Sequence, residues 1–199
     1  MSEFPVYVKS LIYIVGMSGS GKSTLENNLV KFYPQFYEKE VSATTRRPRA
    51  GERDGKDYYF KSKAQFDRMN IIHPITYDKK HYGTPLSELT KTTKSLISVV
   101  VPEGIHRSVE FFEKNGINVP IIIVKFDISA NTRYKNMINR GDSHEDATSR
   151  LNEGNTNEEF DSYNLNNLSK FLTIEIFELN EYVHENTHRA IQMILKNLG

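Results

Sequence analysis

The chain has 199 residues, 38% apolar and 26% charged, with a formal net charge of +1. That is enough to bury a sizeable core, and too balanced for a global attraction to nucleic acid or to an anionic membrane. No cysteine occurs, which excludes disulfides, thiolate nucleophiles and cysteine-ligated zinc and agrees with a reducing compartment. No apolar stretch approaches about 18 residues, and the opening M-S-E-F-P lacks a basic-then-apolar leader pattern. The expectation is a soluble, cytoplasmic protein with no membrane or nucleic-acid partner, as a monomer or homodimer.

The apolar run over 11–17 predicts a buried strand, followed by a glycine-rich loop and a helix over 23–33 with Leu25, Leu29 and Val30 on one face. Pro34 helps to end that helix. A second strand is expected over 37–45. The polar stretch 42–60 carries five basic residues and ends in aromatics. A short helix is expected over 62–69, then an edge strand over 71–77 because Pro74 interrupts it. Further on, the pattern predicts a helix over 85–94, a strand over 96–101 and a helix over 105–114. A strand over 119–126 and helices over 129–139 and 143–153 follow. An Asn/Glu-rich helix or loop spans 155–170, then a last strand over 171–177 and an amphipathic helix over 183–198.

Strands that are apolar on both faces and alternate with helices imply an α/β fold, a parallel sheet covered by helices on both faces. Ligands in such sheets bind beyond the carboxyl ends of the strands. The segment 46–86 breaks the alternation with short aromatic-rich pieces and is a candidate inserted lobe. A single domain is expected: a core of 1–45, 87–137 and 153–199, the lobe 46–86, and a lid at 138–152.

At the end of the first strand lies Gly16-x-x-x-x-Gly21-Lys22-Ser23, a complete Walker A pattern in its strand–loop–helix context. Gly16, Gly19 and Gly21 let the backbone turn its N–H groups toward phosphate oxygens. Lys22 brings a compact positive charge to the β- and γ-phosphates, and the Ser23 hydroxyl is a ligand for Mg²⁺. The helix begun by Ser23 and Thr24 adds its positive end. Gly16, Ser18, Gly19, Ser20, Gly21, Lys22, Ser23 and Thr24 are the expected ATP-binding residues, with Mg²⁺ arriving as the nucleotide's partner.

The loop alone says only that a nucleotide binds. The stretch Ser42-x-Thr44-Thr45-Arg46-x-Pro48-Arg49-x-x-Glu52-x-x-Gly55-x-x-Tyr58-x-Phe60, taken with Tyr82-Gly83-Thr84, resembles the signature of the guanylate kinase family in order and spacing. Independently of the resemblance, Arg46 and Arg49 flank a Pro-fixed turn and present two guanidinium forks suited to one phosphate. A solvated basic loop is the bland alternative. The resemblance implies a P-loop kinase of nucleoside monophosphates with an acceptor lobe and a lid. Arg46, Arg49, Tyr58 and Tyr82 would then hold the acceptor's phosphate, and Ser42 and Thr84 would face its base. Arg140 and Arg150 match lid arginines, while a third lid arginine of the family falls on Asn136. Lys22, Arg46, Arg140 and Arg150 would carry the transfer.

The pattern breaks where the family reads guanine. Its two base-reading carboxylates fall on His73 and Val101, and a companion strand acid falls on Val99. Glu103 is near enough in sequence to stand in for one of them. Three readings stay open: a kinase for GMP, dGMP or a non-guanine or modified nucleotide; a weakly catalytic binding module; and a sugar-phosphate kinase.

Overall fold

The computed structural model describes residues 5–49, 51–77, 79–155, 168–169, 172, 174–179, 189–192 and 196. Its centre is β1 (Leu11–Gly16), whose side chains alternate between two apolar faces. Leu11, Tyr13 and Val15 pack with Ile105, Val109 and Phe112 of α4 (Pro102–Lys114). Ile12 and Ile14 pack with Leu25 and Leu29 of α1 (Lys22–Phe32), and Ala190 and Ile191 join that face. Each fully buried Leu or Ile contributes about 1.5–3 kcal/mol, so a strand apolar on both sides belongs in the middle of the sheet.

That sheet has the order β2-β7-β1-β8-β9, with β2 (Tyr37–Lys39), β7 (Ser95–Val99), β8 (Ile121–Phe126) and β9 (Ile174–Leu179). All four pairings are parallel. The strands therefore end together at one edge, where α1 begins. The helices α5 (Ala130–Asn139) and α6 (His144–Asn155) follow β8 at that same end. The expected α/β architecture, a parallel sheet with helices on both faces, is present.

Two expectations need correction. The strand predicted over 37–45 divides between two sheets. Glu40 still donates its N–H to Ile97 O at 2.9 Å, but the Val41 N–H turns to Glu88 Oε2 at 2.9 Å. The chain thereby leaves the main sheet and re-forms as β3 (Ala43–Thr44) in a second one. The helix predicted over 85–94 shrinks to α3 (Glu88–Lys91), because Leu86 N–H is committed to Asn70 O at 2.8 Å.

The second sheet has the order β4-β3-β6-β5, with β4 (Tyr59–Phe60), β5 (Ile75–Tyr77) and β6 (Lys80–Gly83). β5 lies at its edge and begins after Pro74, where a missing N–H does no harm. The short α2 (Lys63–Phe66) follows β4 and is closed by a capping box of Ser62 and Gln65. α4 starts three residues before its predicted position, since Pro102 suits the first helical turn. Most of the stretch predicted over 155–170 and of the helix predicted over 183–198 lies outside the described residues.

Candidate active site

The loop between β1 and α1 is held by conformations that only glycine adopts without strain. Gly19 (φ +79°) and Gly21 (φ +103°) are left-handed, and a Cβ on Gly19 would sit 2.5 Å from Arg133 O. α5 thus packs directly on the loop, and Asn136 fixes it by donating to Gly19 O at 2.9 Å. Lys22 Nζ donates to Met17 O at 2.9 Å. Burial, then the neighbouring Arg140 and Arg133 charges, lower its pKa to about 8. Three cations converge on one short loop, and a polyphosphate is the ligand class that such a cluster would welcome. Ser18 is half-buried, Ser23 and Thr24 are exposed in the first turn of α1, and the buried Ser20 hydroxyl has no protein partner.

Arg133 escaped sequence reasoning. It is 5% exposed, its Nε donates to Ile128 O at 3.1 Å, and its Nη1 has no hydrogen-bond partner. Its spacing of four from the buried Met137 puts it on the inward face of α5, and that spacing was the available signal. Arg140 caps α5 and donates through Nε to Asp142 Oδ1 at 3.0 Å. That hydrogen bond pulls the Asp142 carboxyl below its usual range, with a smaller contribution from Arg150. Arg150 itself is exposed on α6. Asn136, at the position of the third lid arginine, braces the loop instead of reaching out from the lid.

The second cationic centre is Arg46. Its guanidinium lies 5.3 Å from the Tyr58 ring centroid and 5.7 Å from that of Phe60. Glu52 grips it twice, accepting from Nη1 at 2.9 Å and Nη2 at 2.8 Å, while Nη1 also donates to Arg47 O at 2.8 Å. Of the five N–H groups of an arginine, Nε–H and one on Nη2 are left for a ligand. The Arg46 hydrogen bonds, with one from Arg49 N–H at 2.6 Å, hold the Glu52 carboxyl at about 2. Tyr82 stacks edge-on to Tyr58, ring centroids 6.3 Å apart, so two tyrosines stand near the same guanidinium. The Arg49 side chain is exposed. An aromatic-backed guanidinium with two neighbouring tyrosines suits a single phosphate group.

The residues expected near the base are mostly gathered in a third cluster. Ser42 Oγ is 3.4 Å from Thr84 Oγ1. His73 is 5% exposed, with Nε2 3.2 Å from Thr84 Oγ1 and Nδ1 3.0 Å from Ser108 Oγ. Both ring nitrogens are therefore occupied by protein. Val101 stands 53% exposed at the start of α4. Glu103 is taken up by Arg107, which donates from Nε at 2.9 Å and also binds Pro74 O. The carboxyl that reaches this cluster is Glu40, hydrogen-bonded to Thr84 Oγ1 and 4% exposed. Sequence reasoning passed over it. Glu38 and Glu40 both stand in that strand-like run, so the sequence gave no signal that singles out Glu40.

A parallel sheet ending in this glycine-rich loop, with a lysine and a helix start around it, defines a P-loop nucleotide-binding protein. The family model for guanylate kinase matches residues 8–167. The chain belongs to the guanylate kinase family.

Guanylate kinase of Latilactobacillus sakei is 32% identical over 122 residues, 59% of this chain and 60% of that one. That of Lactobacillus johnsonii is 41% identical over 85 residues, 41% and 42% of the two chains. That of Streptococcus thermophilus is 30% identical over 140 residues, 68% and 66%. The chain thus aligns with between about two fifths and two thirds of these relatives' length. A crystal structure of guanylate kinase from Anaplasma phagocytophilum has the same fold, with a TM-score of 0.54 at 20% identity, covering 97% of this chain and 88% of that one. Among the described residues no helix is long and apolar enough to cross a membrane.

Proposed function

We propose that the protein transfers the γ-phosphate of Mg·ATP to a nucleoside monophosphate. The observation that carries this reading is the pairing of two phosphate-type centres, the Lys22 loop and the aromatic-backed Arg46, in a chain of the guanylate kinase family. Lys22 and the loop N–H groups would neutralise and orient the donor's β- and γ-phosphates, with Arg140 and Arg150 drawn in from α5 and α6. Arg46, Arg49, Tyr58 and Tyr82 would fix the acceptor's phosphate in line with the donor. Phosphoryl transfer of this kind needs positioning and charge neutralisation and little covalent chemistry from the protein. A phosphomonoester has its second pKa near 6, so the acceptor is already an anion at neutral pH and no general base is required.

Among the described residues no group of three or more His, Asp or Glu side chains gathers around a metal position. Ser23 stands exposed beside Lys22. This donor set fits Mg²⁺ held mostly by nucleotide phosphates and water, as that ion prefers. Bound there, the ion would neutralise charge on the transferring group, and Ser23 would be its protein ligand.

One observation favours a second reading. Val99 and Val101, in place of acids at the carboxyl end of β7, would suit a weakly catalytic binding module. A screen of ATP consumption against all common ribo- and deoxyribonucleoside monophosphates separates the two. The kinase reading expects turnover with at least one of them, and GMP or dGMP need not be the best. Absence of turnover with every acceptor would leave the binding module as the better account.

A further inference from the structure

One face of α5 lies on the phosphate loop, and the residues that build it recur at helical spacing: Arg133, Asn136, Met137 and Arg140. A Cβ on Gly19 would strike the Arg133 carbonyl and the Met137 side chain, and Asn136 donates to Gly19 O at 2.9 Å. Met137 is buried and apolar, and the Asn136 amide is neutral. The charges on this face are therefore Arg133 and Arg140. Arg140 is half-exposed and has Asp142 as its partner. Arg133 has neither solvent nor a carboxylate.

At 5% exposure the Arg133 guanidinium is largely out of water. Its Nε donates to Ile128 O at 3.1 Å, while Nη1 is buried with no partner. An arginine keeps its charge at any working pH, and its N–H groups can only donate. Among the described residues no carboxylate forms an ion pair with it. Burial pulls its pKa down, and the charge of the exposed Asp127 opposes that. Its place near the N-terminal end of α5 adds to the cost, since the helix dipole is positive there. A buried charge without a partner is strongly destabilising. Packing does not call for it either: an apolar residue at 133 would complete the inward face that Met137 begins.

The charge is felt where a ligand of the loop would sit. The Lys22 pKa is lowered first by burial, then by Arg140 and Arg133. In the free protein these three cations repel one another. An anion seated among them attracts all three.

We propose that Arg133 is a fixed, buried cation of the donor site, whose missing counter-charge is the phosphate chain of the nucleotide held by the Lys22 loop. Arg140 and Arg150 must be drawn in from more exposed positions, whereas Arg133 is already in place inside α5. A charge stripped of water and fixed beforehand neutralises phosphate without the reorganisation that a mobile side chain requires. This assignment rests on the donor reading given under Proposed function, because it needs the loop to hold the phosphates of ATP.

The test compares Arg133→Lys with Arg133→Met. Both lose the guanidinium fork and the Nε bond to Ile128 O, and they differ in charge. Inorganic tripolyphosphate, which has no base or sugar, and Mg·ATP are titrated into each by calorimetry, and urea unfolding ranks the ligand-free proteins. The Met variant is expected to bind tripolyphosphate about tenfold more weakly than the Lys variant. Without ligand it is expected to unfold at the higher urea concentration, since it buries no charge. Opposite rankings mark a charge whose partner is the ligand; a merely structural arginine would move affinity and stability together, or leave affinity alone. A crystal structure of the unaltered protein with Mg·ATP needs no variant to fold. In it a phosphate oxygen is expected nearer to the Arg133 guanidinium than any carboxylate oxygen. Equal affinities of the two variants, one ranking for both properties, or a carboxylate paired with Arg133 while the loop holds ATP overturns the role of Arg133. If Lys22→Ala still abolishes binding in those cases, the donor reading stands. Failure of tripolyphosphate and ATP to bind the unaltered protein overturns both.

Discussion

The phosphate loop takes almost all its chemistry from one unbroken run, Gly16 to Thr24, whereas the polar chain under Thr84 is gathered from β1, the residue after β2, the segment before β5, the residue after β6, and α4. In the loop, backbone N–H groups and a lysine face a ligand whose phosphates look alike whatever base they carry. In the chain, each buried group must find a partner, so one substitution obliges others to change. On the proposed reading, a phosphate site can be kept intact while a base site is rebuilt, and His73 and Val101, where the family signature has carboxylates, would have the form of such a rebuilding.

The largest effects should come from breaking the phosphate side. Lys22→Ala is expected to lower phosphoryl transfer by about a thousandfold, since a preorganised charge on the transferring group is lost. Arg46→Ala should cost about a hundredfold in kcat/KM, with the fold retained. Both losses should be uniform across acceptors, as measured with GMP and with CMP side by side. If Arg46→Ala alters the preference between bases as strongly as it alters the rate, the two regions are not separable in the way described.

A smaller effect is expected in stability. Glu40 has a raised pKa, about 7 against an ordinary 4.5, so the folded protein holds that proton more tightly than the unfolded chain. Its stabilising contribution is complete below the ordinary value and is lost as pH rises through 7. His73, lowered from 6.5 to about 4, runs the other way: its contribution is present above 6.5 and lost as pH falls through 4. Between about pH 4.5 and 6.5 the two offset each other. Glu40→Gln removes only the first. Urea unfolding from pH 5 to 8 should therefore show the variant gaining on the wild type toward alkaline pH, by on the order of 2 kcal/mol. Parallel curves for the two proteins would count against a titrating Glu40. Glu52 makes a useful contrast: its carboxyl is shifted just as clearly, yet it is only half-buried beside Arg46, where solvent screening keeps the stability effect small.

The same contrast governs what the sequence revealed. β1, the loop and α1 were legible because strand pattern, glycines and helix start are contiguous and local. The Arg46–Tyr58 run was legible for the same reason. Glu40 was not, because its importance comes from the chain leaving one sheet for another at Val41, and that turn is set by Glu88, 47 residues further on. Arg133 was missed because a cation at a buried helix position contradicts the usual sorting of charge to the surface. His73 read as a replacement at a base-reading position, and its enclosure by Ser108 of α4 and Thr84 could not be seen from the chain order. For Glu40 and His73 the deciding contacts are distant in sequence.

Binding of a bisubstrate analogue, adenosine joined through five phosphates to the preferred acceptor nucleoside, tests most directly the claim that the Lys22 loop and Arg46 serve one transfer. Titration calorimetry should show the analogue binding at least a hundredfold more tightly than ATP, with Lys22→Ala and Arg46→Ala each removing most of that gain. An analogue that binds no better than ATP, and is indifferent to Arg46→Ala, would contradict the account.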